Sequence, residues 1–117
     1  MKVLLLENSR KKRIALHEEL EEKKVKVTSC SSSDSFLSLV SEDKGFDKIV
    51  MNEEFWDKGR SIYSYFNVAS KLADIPLITY NANENFSNIC DRAANSSDQI
   101  LHKPVDNSLI IEAVVHN

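Results

Sequence analysis

Lys2-Val3-Leu4-Leu5-Leu6-Glu7-Asn8 decides the fold: its apolar run is unbroken, too short for a helix, and stopped by an acid and an amide. A run of this kind suits a strand buried on both faces, as in a parallel sheet, whereas a strand with one wet face alternates. The pattern changes over residues 9–24, where Ile14, Leu16 and Leu20 stand on a charged background. Ser9 or Asn8 is available there as an N-cap, and Glu19 lies one helical turn before Lys23. A buried strand followed by an amphipathic helix is the first half of a strand–helix–strand crossover.

The alternation continues to the end of the chain. Residues 25–28 form a short strand. The serine cluster at 29–35 is a solvated loop in which Ser33 or Asp34 caps a helix through Phe36, Leu37, Leu39 and Val40, stopped by Gly45. Residues 46–51 are a strand centred on Ile49, Val50 and Met51, ending near Asn52. After a loop containing Gly59, residues Ile62, Tyr65, Phe66, Ala69, Leu72 and Ala73 recur at helical spacing over 61–73. Strand four is 76–80, a weaker helix covers 84–94, strand five is 99–102, and a last helix covers 108–115. Five strands alternating with five helices specify a parallel sheet covered on both faces. Crossover handedness then selects an α/β, three-layer, doubly wound five-stranded sheet of flavodoxin-like order 2-1-3-4-5, in one domain over residues 1–117. In that order ligands bind at the carboxyl ends of strands one and three, where Glu7, Asn8 and Asn52 stand.

Composition narrows the function classes. The 117 residues and 42% hydrophobic content suit one continuous core, and 15 Lys+Arg against 18 Asp+Glu leave a net charge of −3, so no nucleic-acid partner is expected. The N-terminal apolar run is too short for a signal sequence or a membrane span, which implies a cytoplasmic chain without a membrane partner. Cys30 and Cys90 lack metal-ligand spacing and read as free thiols, and His17, His102 and His116 are scattered surface or packing residues. Neither Gly45 nor Gly59 follows strand one, where a phosphate-cradling loop would need it, and no catalytic triad presents itself. A small enzyme or cofactor-binding protein on this fold is therefore the weakest reading; no enzyme activity, cofactor or metal is expected.

With the element order in hand, four short motifs in sequence resemble the response-regulator receiver domain almost from end to end. Glu7-Asn8 resembles the acidic pair after strand one, and Phe46-Asp47-Lys48-Ile49-Val50-Met51-Asn52 the strand that ends in the phospho-accepting aspartate. Residues 75–82 (Ile-Pro-Leu-Ile-Thr-Tyr-Asn-Ala) resemble strand four, with Asn81 at the usual Thr or Ser, and His102-Lys103-Pro104 resembles the Lys-Pro signature. The resemblance implies a two-component signalling module with a cis peptide before Pro104. It also implies an interaction face carrying Phe86, Ile89 and Ile100, engaged by a protein partner or a second copy.

The departures from that pattern fall on the chemistry. Asn52 is an amide where the nucleophilic carboxylate belongs, and Glu7 is the one carboxylate left at the matching metal positions beside Asn8 and Asn52. Ile100 replaces the aromatic ring that pairs with the strand-four hydroxyl, while Thr79 offers a hydroxyl two positions before Asn81. Lys103 is either an inherited phosphate clamp or a buried lysine paired with Glu7, and the second reading is preferred because the other carboxylates are gone. The Glu53-Glu54 pair is read as solvated, although phosphorylation of either would make this an active receiver. Arg10-Lys11-Lys12-Arg13 sets positive charge on a helix's first turn, which hints at an acidic partner but reads more simply as a solvated basic turn. No output domain is expected beyond residue 117. The expectation is a degenerate pseudo-receiver acting by phosphorylation-independent protein–protein contact.

Overall fold

The computed structural model describes residues 1–42, 45–57, 75–82 and 98–116. Its strands are β1 (Lys2–Leu6), β2 (Lys26–Cys30), β3 (Lys48–Asn52), β4 (Leu77–Ala82) and β5 (Gln99–His102), paired in one all-parallel sheet of order β2-β1-β3-β4-β5. Among the described residues the helices are α1 (Arg10–Glu22), α2 (Ser33–Ser41), α3 (Glu54–Asp57) and α4 (Asn107–Val115). This is the doubly wound, flavodoxin-like order that the sequence implies. The helices expected over 61–73 and 84–94 lie outside the described residues, as do Phe86, Ile89 and Cys90. Several boundaries are corrected. β2 runs on to Cys30 and so takes Ser29 and the buried Cys30 out of the expected solvated serine loop. β3 begins at Lys48, after Asp47, whose carboxylate accepts a 2.7 Å bond from the Lys2 N–H. β4 runs from Leu77 to Ala82, past the expected end at residue 80, and α3 occupies the expected loop after Asn52.

Although β1 is apolar from Val3 to Leu6, these residues part strictly between two layers. Val3 and Leu5 join Val50 and Ile78 under Leu16 and Leu20 of α1 and Ile110, Ile111 and Val114 of α4. Leu4 and Leu6 face the other way, with Ile49 and Met51, toward Phe36 and Val40 of α2 and Phe55 of α3. The period of two along each strand therefore fixes which helices each strand holds. At the base of the sheet, the buried Lys48 donates from Nζ to the Val114 carbonyl at 2.7 Å, placing a cation at the C-terminal end of α4 where the helix dipole favours it. Burial lowers the Lys48 pKa.

Capping sets the helix ends. Ser9 caps α1, its hydroxyl accepting from the Lys12 N–H. Ser32 caps α2, one residue ahead of the expected Ser33, and accepts from the Ser35 N–H at 3.2 Å. The chain leaves α1 through a Schellman turn: the Lys24 N–H bonds Glu21 O at 2.9 Å and the Val25 N–H bonds Leu20 O at 3.2 Å, while Val25 and Leu20 share a core cluster. Lys24 takes φ +65° to close that turn.

A second left-handed residue, Asn81 at φ +63°, forms a bulge in β4: Tyr80 pairs with Leu101 and Ala82 with His102, so Asn81 is the extra residue. Asparagine tolerates this conformation better than most residues. The bulge reverses the alternation, leaving Tyr80 in the α1 layer with Ile78 and returning Ala82 to the α2 layer with Leu77.

The Schellman turn generates a test. Replacing Lys24 with Gly relieves about 1–2 kcal/mol of left-handed strain and gives back part of it in unfolded-chain entropy. Lys24→Gly should raise stability by ~0.5–1 kcal/mol, read as a higher urea midpoint with an unchanged m-value.

Candidate functional site

The carboxyl end of the sheet gathers three side chains by parity. Glu7 follows Leu5 by two residues, Asn52 follows Val50 and Tyr80 follows Ile78, so all three emerge on the α1 side of adjacent strands. They converge on one carboxylate. Glu7 is 1% exposed. Its Oε1 accepts from Asn52 Nδ2 at 3.0 Å and from the Tyr80 hydroxyl, and its Oε2 accepts from the Ser9 N–H at 2.7 Å, ahead of the first turn of α1. All three partners donate, the pattern an ionised carboxylate takes, and the helix N-terminus adds its positive dipole end.

Asn52 is satisfied at both ends of its amide, because Oδ1 accepts from the Glu54 N–H at 3.0 Å while Nδ2 serves Glu7. That pair of bonds fixes which end faces the carboxylate. Tyr80 is fully buried. Burial first, then the Glu7 charge and its hydrogen bond, and finally Glu54, push the Tyr80 hydroxyl far above its ordinary pKa, so it stays protonated and donates. Around this centre, Asn8 Nδ2 donates to Glu54 Oε2 at 3.0 Å, and the Glu53 N–H donates to Tyr80 O at 2.9 Å.

Positive charge reaches the site from α1. Arg13 Nη1 donates to the Glu7 carbonyl at 3.0 Å, and Lys12 Nζ stands 5.4 Å from the centre of the Tyr80 ring, a cation–π contact. The basic turn 10–13 is thus not wholly solvated, since Lys12 and Arg13 are half-buried against the sheet end while Arg10 and Lys11 are exposed. Two cations beside a buried carboxylate offset the electrostatic conflict of their position at a helix N-terminus.

Several expected site residues take other places. Lys103 lies exposed beyond β5 and makes no ion pair with Glu7, whose acceptor oxygens are already taken by Ser9, Asn52 and Tyr80. The Lys103–Pro104 peptide is cis, and the Lys103 N–H bonds Ala82 O at 2.7 Å. Asn81 sits on the bulge, half-exposed, and its side chain is hydrogen-bonded to neither Glu7 nor Asn52. Thr79 is buried, paired across the sheet with Met51 and Ile100. Ile100 is 39% exposed on the edge strand. Of the acidic pair, Glu53 is buried and only Glu54 is exposed, so the expectation that both are solvated fails for Glu53. Tyr80, Lys12, Arg13 and the Ser9 N–H were not singled out as site groups by the sequence. The signal for Tyr80 was strand parity: it ends β4 in step with Glu7 and Asn52.

The receiver fold implies a divalent cation at this sheet end, and the residues present do not fit one. A cation needs free oxygen acceptors, whereas N–H and O–H donors already point at both oxygens of Glu7. Among the described residues no group of three or more His, Cys, Asp or Glu side chains could hold a metal ion. Asn52 offers an amide whose two ends are both engaged, which is no nucleophile for phosphoryl transfer.

Comparison with solved structures places the fold. A sensor protein from Polaromonas sp. JS666 superposes with a TM-score of 0.76 at 22% identity, covering 98% of this chain and 92% of that one. The receiver domain of a Francisella response regulator gives 0.73 at 23% identity over 97% and 92%. A response regulator receiver protein from Burkholderia phymatum gives 0.70 at 17% identity over 98% and 92%. The chain therefore has the fold of response-regulator receiver domains. No family model matches the sequence, and no curated protein matches it. Among the described residues no helix is long and apolar enough to cross a membrane.

The protonated Tyr80 predicts a pH dependence. A group whose folded pKa is raised contributes stability that is complete below its unfolded value, here 10.0, and is lost as pH rises above it. Cys30, pushed up to about 12 by burial, acts in the same direction from 9.0. Stability should therefore fall above pH 9–10, and Tyr80→Phe should flatten the decline by up to ~1.4 kcal/mol per pH unit. Urea unfolding of both proteins from pH 7 to 11 reads the difference.

Proposed function

We propose that this chain is a signalling module of the two-component type that acts by protein–protein contact and is not switched by phosphorylation. The observation that carries this reading is Asn52, an amide at the end of β3 hydrogen-bonded to Glu7 and to the Glu54 N–H. The likeness to receiver domains supports the signalling class, and the filled sheet end supports the loss of the phosphoryl step. The chain is not an enzyme: the position that would accept a phosphoryl group is an amide, and the carboxylate that would help hold the metal is internally bonded. Its partner is a protein of a signalling pathway or a second copy of itself, in the cytoplasm. Nucleic acid is disfavoured by the net charge of −3.

Incubation with acetyl phosphate and Mg²⁺ should leave the intact mass unchanged, and Asn52→Asp alone should gain little phosphoryl group because the metal site stays incomplete. Stoichiometric addition of a phosphoryl group to the unmodified protein, mapped to Glu53 or Glu54, would establish an active receiver instead.

A further inference from the structure

We propose that Tyr80 is the residue that closes this sheet end to divalent cations, by holding its hydroxyl on the Glu7 carboxylate where a metal ion would otherwise supply the balancing charge. This lock is distinct from the missing aspartate and does not depend on a signalling partner.

Three observations carry it. First, Glu7 Oε1 accepts from two donors and Oε2 from a third, so Oε1 has both of its lone-pair directions filled and a cation must displace a donor before it can ligate that oxygen. Second, the three donors are not equally replaceable. The Ser9 N–H is backbone at the helix entrance, and Asn52 Nδ2 vanishes when the residue is made Asp, but the Tyr80 hydroxyl remains on Oε1 in both cases. Its ring is fully buried in the core cluster that holds Ile78, Val50, Leu16 and Leu20, where close packing resists a change of rotamer. Third, Lys12 Nζ stands 5.4 Å from the centre of the same ring, so the tyrosine also positions a positive charge at the mouth of the site. Restoring aspartates at 8 and 52 therefore returns negative charge and removes the Asn52 donor, but leaves the Tyr80 hydroxyl on Oε1.

The order of these effects is testable with Mn²⁺ as the probe, comparing Asn8→Asp/Asn52→Asp with the same chain carrying Tyr80→Phe in addition. Free Mn²⁺ is counted by electron paramagnetic resonance. The added Tyr80→Phe should tighten Mn²⁺ binding by at least about tenfold, the scale on which removal of an outer hydrogen-bond partner alters metal affinity. Equal affinities in the two folded proteins would overturn the proposal. Tyr80→Phe keeps the ring in place, and Asn52→Asp/Tyr80→Phe, which removes both side-chain donors from Oε1, provides a second measurement should the triple variant fail to fold. Mn²⁺ should broaden the Glu7 and Asn8 amide signals of Asn52→Asp/Tyr80→Phe more strongly than those of Asn52→Asp. Equal broadening in the two folded variants, or none in Asn52→Asp/Tyr80→Phe, would equally overturn it.

Discussion

A carboxylate taken out of water must find donors, and the end of this sheet is organised around supplying three of them to Glu7. Each comes from a different element: the Ser9 N–H from the entrance of α1, Asn52 from β3 and Tyr80 from β4. The central strands end in step because their terminal side chains meet on one atom pair. A hydrogen bond to a charged group contributes about 1.5–3 kcal/mol, so losing the carboxylate would leave two buried donors, Asn52 and Tyr80, uncompensated. The positions of α1, β3 and β4 are thus coupled at the top of the sheet, as Lys48 couples β3 to the end of α4 at its base.

This arrangement has a functional consequence. A switching receiver needs a site whose charge changes and side chains that respond. Here the nucleophile position is an amide with both ends engaged, the strand-four position is a bulged asparagine, and the aromatic partner in β5 is an exposed isoleucine. The charge balance is met internally, by Tyr80, Asn52, the α1 dipole and the nearby Lys12 and Arg13. Such a site supports the proposed reading of a module that acts through its surface without a phosphorylation switch.

Much of this was legible in the residues. The unbroken run Val3–Leu6, the amphipathic stretch of α1 and the apolar centre of β3 follow from period and length, and the strand order follows from crossover handedness. Glu7 and Asn52 were placed correctly at the sheet end for the same reason. What escaped was the partner of Glu7. A lysine seemed the natural counter-charge, but the site is balanced through neutral donors, and the tyrosine that provides one read as an ordinary strand residue. The Asn81 bulge was also invisible, since one inserted residue leaves no mark on hydrophobic periodicity; it changes the face of Ala82 alone. Glu53 was taken for a solvated acid because a run of two acids after a strand carries no sign of the short helix α3 that follows it.

The central claim is that Glu7 and Tyr80 stabilise each other directly, and a double-mutant cycle tests it most plainly. Urea unfolding at pH 7 of the unmodified protein, Glu7→Gln, Tyr80→Phe and the double variant yields the interaction energy of the pair. The account predicts a coupling of at least ~1 kcal/mol, within the range for side chains sharing one hydrogen-bond network. Additive effects, with a coupling indistinguishable from zero, would contradict it.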